Sequence, residues 1–127
     1  MDLILLIDDD KDDNFLHTRT IKKSDITKEV ASFLDAEDAL AYLKSAETKK
    51  PDLIFLDINM PKMNGWDFLN EYTKLPDDKK GSIVVMLTTS VNPDDKHKAL
   101  SFQNVVSYTN KPLTQMELLD LIKKVRP

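Results

Sequence analysis

Pro51-Asp52-Leu53-Ile54-Phe55-Leu56-Asp57-Ile58-Asn59-Met60-Pro61 is the stretch whose reading decides the fold. Its apolar residues Leu53 to Leu56 run without a break into one carboxylate, Asp57. A short unbroken apolar run reads as a strand covered on both faces, as in parallel sheets. Met60-Pro61 stops it, because proline has no N–H to give a ladder. Asp57 therefore stands at the carboxyl end of a buried strand, the edge at which open α/β sheets bind ligands. Taken alone, such an acid could equally well end a strand and face water. The decision rests on the rest of the chain.

Working outward, Leu3-Ile4-Leu5-Leu6-Ile7 is another buried strand, followed at once by Asp8-Asp9-Asp10-Lys11-Asp12-Asp13. Acids at a strand-to-helix junction suit the first turn of a helix, where the dipole favours negative charge. That helix is expected from about Asp10 to Lys22. Lys28 to Phe33 reads as a shorter strand. Asp35 or Ala36 opens a second helix, with Ala39, Leu40, Leu43 and Ala46 at helical spacing. After the strand Leu53 to Asp57, a third helix begins at Gly65-Trp66 and runs to about Leu75. Pro76 to Gly81 is a polar turn. Ile83 to Leu87 is the fourth buried strand, closed by Thr88-Thr89-Ser90. Pro93 suits the first turn of a helix reaching about Phe102. Asn104 to Thr109 is strand five, with Asn104 suited to a left-handed helix end. Thr114 and Glu117 form a capping box for a last helix striped by Leu118, Leu121, Ile122 and Val125. Strands alternate with helices five times. That pattern predicts one parallel sheet with helices on both faces and right-handed crossovers.

The bulk properties agree. The chain has 127 residues, 41% of them hydrophobic, which suits one globular domain over 1–127. It has no cysteine, so disulfide frameworks and thiolate metal sites are excluded. The net charge of −4 argues against direct contact with nucleic acid. The apolar run Leu3 to Ile7 is too short for a signal peptide or a membrane span, and a cytoplasmic protein with no membrane partner is expected.

Four features fall at strand ends: Asp8-Asp9, Asp57, Thr88 and Lys111. With their neighbours they read Leu6-Ile7-Asp8-Asp9, Leu56-Asp57-Ile58-Asn59-Met60-Pro61 with Gly65, Leu87-Thr88, and Tyr108 followed by Lys111-Pro112. In this order, and over essentially the whole chain, they resemble the response regulator receiver domain of two-component signalling. The resemblance implies a doubly wound, flavodoxin-like α/β sheet of order 2-1-3-4-5 with five helices, with strands one and three adjacent at the topological switch point. It implies Asp57 as phosphoacceptor, with Asp9, Asp57 and the Asn59 backbone carbonyl as metal ligands and Asp8 acting through water. Thr88 and Lys111 would hold phosphate oxygens, Thr88 and Tyr108 would form the switch, and Asn59 and Ser90 would tune dephosphorylation. Lys111-Pro112 is a candidate cis peptide. The phosphoryl group would come from a sensor histidine kinase or a phosphotransfer protein, and would alter the helix 4–strand 5–helix 5 surface for an output partner that the sequence does not name. The protein would catalyse only its own phosphorylation and dephosphorylation.

Elementary electrostatics supports a cation at such a site. Two unit charges about 4 Å apart interact by about 4 kcal/mol at an effective dielectric near 20, so converging carboxylates repel. Oxygen donors with no sulfur favour Mg²⁺ before Zn²⁺. Rival readings fare worse. A calcium loop starting at Asp8 fails, since Asp13 stands where glycine is required and Arg19 where glutamate is. A haloacid-dehalogenase-like phosphatase wants a second aspartate where Asn59 stands. The two glycines, Gly65 and Gly81, cannot make a phosphate loop. A receiver-like binding module independent of phosphate is opposed by the intact set of Asp9, Asp57, Thr88 and Lys111. His17 and His97 read as lone, solvated helix residues. Departures from the family pattern are Asp10, where glutamate is common, Thr89, where alanine is usual, and Phe102-Gln103-Asn104 in place of a Gly-Ala turn.

Overall fold

A computed structural model of the chain describes residues 1–45, 47 and 49–125. Its elements are β1 (Leu3–Ile7), α1 (Lys11–Ser24), β2 (Glu29–Phe33), α2 (Ala36–Lys44), β3 (Leu53–Leu56), α3 (Gly65–Thr73), β4 (Ile83–Thr88), α4 (Pro93–Leu100), β5 (Val105–Asn110) and α5 (Gln115–Val125). The strands are all parallel and lie in the order β2-β1-β3-β4-β5. Ile7 pairs with Leu56, Leu56 with Met86, and Met86 with Tyr108, so the carboxyl ends of the four central and outer strands line up.

The strands are apolar on both faces because both faces are covered. Successive side chains point to opposite sides of a strand. Leu5, Ile7, Ile54, Leu56, Val84 and Met86 pack with Leu40, Leu43, Phe68, Tyr72 and Ala99, which places α2, α3 and α4 on one face. Ile4, Leu6, Leu53, Phe55, Val85 and Leu87 pack with Ile21, Leu118 and Leu121, which places α1 and α5 on the other. β2 and β5 are the edge strands, and Glu29 and Ser32 of β2 are exposed.

Helix starts follow local chemistry. Asp10 accepts the N–H groups of Asp12 and Asp13, and Asp35 those of Glu37 and Asp38. The Glu117 N–H donates to Thr114 Oγ1 at 3.1 Å, and the Thr114 N–H donates to Glu117 Oε1 at 3.2 Å, the reciprocal box the sequence predicts. Asn64 and Asp67 make another such box at α3, which the sequence reading did not single out.

Helix ends depart from the sequence reading. α1 continues to Ser24 and closes on Asp25, whose φ of 52° is left-handed. α3 ends at Thr73, short of Leu75. α4 ends at Leu100 rather than Phe102, and β5 starts at Val105 rather than Asn104. The reason lies outside the segment: Phe102 leaves the helix to stack on Trp66 of α3, ring centroids 6.4 Å apart. Asn104 is not left-handed, because among the described residues positive φ falls at Asp25, Lys62 and Gly81. Ala46, read as part of the α2 stripe, lies outside the described residues. Among the described residues, no helix is long and apolar enough to cross a membrane.

Candidate functional site

β1 and β3 are neighbours, so the residues that follow them meet. The Asp8 N–H donates to Phe33 O and the Asp57 N–H to Ile7 O, each at 3.0 Å, which extends the sheet one residue past both strands. One oxygen of each acid is held locally. Asp57 Oδ1 accepts the Ile58 N–H at 2.8 Å, and Asp8 Oδ1 accepts the Asp10 N–H at 2.9 Å. The Oδ2 atoms face Lys111, whose own N–H donates to Thr88 O at 3.0 Å. Lys111 precedes Pro112 across a cis peptide bond.

The Lys111 ammonium meets three carboxylates: Asp8 Oδ2 at 2.6 Å, Asp13 Oδ2 at 2.8 Å and Asp57 Oδ2 at 3.4 Å. Its side chain is 9% exposed. Burial works against its charge, but the hydrogen bonds to Asp13 and Asp8 outweigh burial and hold the ammonium well above its usual range. Burial raises the Asp8 carboxyl, with the Lys111 and Asp10 hydrogen bonds opposing it. Asp8, Asp9 and Asp57 each offer a carboxylate oxygen, all within 4.8 Å of one another. A hard oxygen set of this size, with one exposed member, fits a divalent cation that keeps part of its water.

Thr88 ends β4 and is fully buried, and its Oγ1 accepts the Ser90 N–H at 3.3 Å. Ser90 joins several elements. Its carbonyl accepts Tyr108 Oη at 3.0 Å and Asn110 Nδ2 at 2.9 Å, and its hydroxyl donates to Asp95 Oδ2 at 2.6 Å. The loop after Thr88 is thereby tied to β5 through Tyr108 and to α4 through Asp95. Asn59 is exposed two residues beyond Asp57. Gly65 is placed by contact: a Cβ there would lie 2.6 Å from Asp57 O and 2.9 Å from Ile58 Cα.

The sequence reading missed three residues of α1. Asp13 reads in the sequence as a helix-dipole acid, yet its Oδ2 lies 2.8 Å from the Lys111 ammonium. Asn14 is buried and donates Nδ2 to Asp8 O at 2.9 Å and to Phe33 O at 3.3 Å, while its Oδ1 has no partner. His17 is not solvated. It is 2% exposed, its Nε2 accepts the Leu113 N–H at 3.3 Å, and burial pushes its imidazole below the usual value. The available signal was position: Asn14, His17 and Ile21 fall on one helical stripe, the buried one. His97 is exposed, as read.

This sheet order, with acids after β1 and β3 facing a lysine after β5, defines a receiver domain. The chain belongs to the response regulator receiver domain family, whose model matches residues 4–123. It is 39% identical over 97 residues to response regulator Rcp1 of Synechocystis sp., a match covering 73% of this chain and 65% of Rcp1. Among solved structures it resembles a two component response regulator from Cytophaga hutchinsonii, with 37% identity, a TM-score of 0.89, and coverage of 98% of this chain and 96% of that one. It also resembles the phosphorylated cyanobacterial phytochrome response regulator RcpA, with 33% identity, a TM-score of 0.77 and coverage of 98% and 90%. The Mn²⁺-bound form of Rcp1 matches with 33% identity, a TM-score of 0.76 and coverage of 98% and 91%. The protein is thus a two-component signalling module with an acid cluster that fits a divalent metal.

Proposed function

We propose that residues 1–127 form one receiver unit that takes a phosphoryl group onto Asp57 from the phosphohistidine of a sensor histidine kinase or phosphotransfer protein in the cytoplasm. The observation that carries this reading is the Lys111 ammonium 3.4 Å from Asp57 Oδ2, within an acid cluster at the carboxyl edge of the sheet. In the step, Asp57 Oδ2 forms the O–P bond as the donor's P–N bond breaks, and the donor nitrogen keeps the electron pair. Asp57 Oδ1 stays on the Ile58 N–H, which fixes the plane of the carboxylate during attack. Lys111 turns a donor from Asp57 to an equatorial phosphoryl oxygen, and Thr88 offers its hydroxyl to another. Asp9, Asp57 and the Asn59 carbonyl would hold Mg²⁺, with Asp8 reaching it through water. When bound, the ion neutralises charge on the phosphoryl oxygens. The phosphorylated RcpA and Mn²⁺-bound Rcp1 relatives support this chemistry by analogy.

The switch follows from the hydrogen bonds of Thr88. Drawing its hydroxyl toward the phosphate removes the acceptor for the Ser90 N–H and loosens the loop that Tyr108 holds. Tyr108, α4 and α5 then present a different surface to an output partner. Asn59 and Ser90 are small and leave a water access to the phosphorus, which favours a short-lived phosphoryl group. The test is acetyl phosphate with Mg²⁺. The wild type should gain one phosphoryl group by intact mass, and Asp57→Asn none. Equal labelling of both proteins would overturn the assignment.

A further inference from the structure

We propose that Asp13 is a positioning residue that holds Lys111 in reach of the phosphoryl group once a divalent ion has claimed the other acids. This rests on the phosphoacceptor reading above. A lysine ammonium has three N–H donors, and here they point to Asp8, Asp13 and Asp57. Asp8 and Asp57 belong to the set of acids that fits a metal, and Asp13 does not. An ion drawing on the oxygens of Asp8 and Asp57 weakens their hold on Lys111. Asp13 is the partner left unchanged. Lysine is a flexible four-carbon stem ending in a point charge, so its placement depends on such a partner.

The charge of Asp13 also acts on His17, whose protonated form it favours, but beside the phosphoryl site its partner is Lys111. A further carboxylate beside an incoming phosphate is unfavourable by like-charge repulsion. Among the described contacts, its side chain meets only the Lys111 ammonium. Its backbone setting is fixed, since the Asp13 N–H donates to the Asp10 cap. One turn further along α1, His17 accepts the Leu113 N–H in a buried setting. The first half of α1 therefore grips the loop after β5 at two points, the backbone at Leu113 and the ammonium of Lys111.

The experiment titrates beryllofluoride, a phosphoryl mimic, into the Mg²⁺-loaded protein and follows amide NMR shifts. Wild type, Asp13→Asn, Asp13→Ser, Asp13→Glu, Lys111→Ala and the Asp13→Asn/Lys111→Ala pair are compared. Asp13→Asn and Asp13→Ser should weaken binding by about tenfold, the low end for removing a partner that orients a liganding group. Asp13→Glu should restore most of the affinity. In the Lys111→Ala background, Asp13→Asn should change nothing further, which a merely structural role would not produce. In Mg²⁺-loaded protein without beryllofluoride, wild type is expected to give a slowly exchanging Lys111 ammonium signal, and this signal should broaden in Asp13→Asn. Unchanged or tighter binding in Asp13→Asn, or an undiminished loss in the Lys111→Ala background, overturns the proposal while leaving the phosphoacceptor reading intact. If wild type fails to bind beryllofluoride, both fall together.

Discussion

Gly65 shows how tightly single residues constrain the site. Its missing side chain lets α3 begin against the backbone that carries Asp57. Because the obstructing atoms are backbone, they cannot swing aside. Gly65→Ala should destabilise the protein by about 1–3 kcal/mol, the usual cost of overpacking. Urea denaturation measures this, and acetyl phosphate labelling of Asp57 should slow in parallel. A neutral Gly65→Ala would mean that the loop yields more readily than its contacts indicate. The strand-end residues Asp8, Asp57 and Thr88 were legible in the sequence because each follows an apolar run that fixes its place, and Lys111 because it stands before a proline just past the more polar last strand. Asp13 was not legible. Its partner lies 98 residues away, and nothing local separates it from the acids that only stabilise a helix start.

Among the elements, α1 links two ends of the molecule through His17. Burial lowers its imidazole pKa, so in the folded chain the neutral form is favoured, as its role of hydrogen-bond acceptor requires. The unfolded chain then binds more protons once the pH falls below the ordinary value of 6.5. The stabilisation is fully present above that pH and is lost as the pH drops below it, by at most about 1.4 kcal/mol per pH unit. His17→Gln keeps an acceptor but cannot titrate. Its stability should therefore fall less than that of wild type between pH 7.5 and 5, as measured by chemical denaturation at each pH. Parallel curves would contradict this account of His17. The core elements were readable from periodicity and caps, whereas the end of α4 was not. Phe102 leaves the helix for Trp66, and Lys98 lies 4.6 Å from the centre of the same ring. That choice is made by tertiary packing across two elements rather than by local preference.

Taken whole, the molecule gathers acids at the carboxyl ends of its strands, with the Lys111 ammonium against three of them. Metal-free protein bears that repulsion in the folded state, and the unfolded chain relieves it. Mg²⁺ at a hundred times its dissociation constant should add about 2.7 kcal/mol of stability. Thermal melting with and without Mg²⁺ reads this directly, and Asp9→Asn should remove most of the shift. A melting temperature indifferent to Mg²⁺ would argue against metal binding by the cluster. The architecture was legible because the alternation of apolar runs and capped amphipathic segments leaves few ways to cover a parallel sheet. The electrostatic arrangement at its edge was only half legible, since that depends on which helix faces which loop.

The most direct measurement locates the phosphoryl group itself. Protein treated with acetyl phosphate and Mg²⁺ is reduced with borohydride, which converts an aspartyl phosphate to homoserine, and is mapped by peptide mass spectrometry. The account predicts homoserine at position 57 alone, absent when Mg²⁺ is chelated. Homoserine at Asp8, Asp9 or Asp13 instead, or none at any acid, would contradict it.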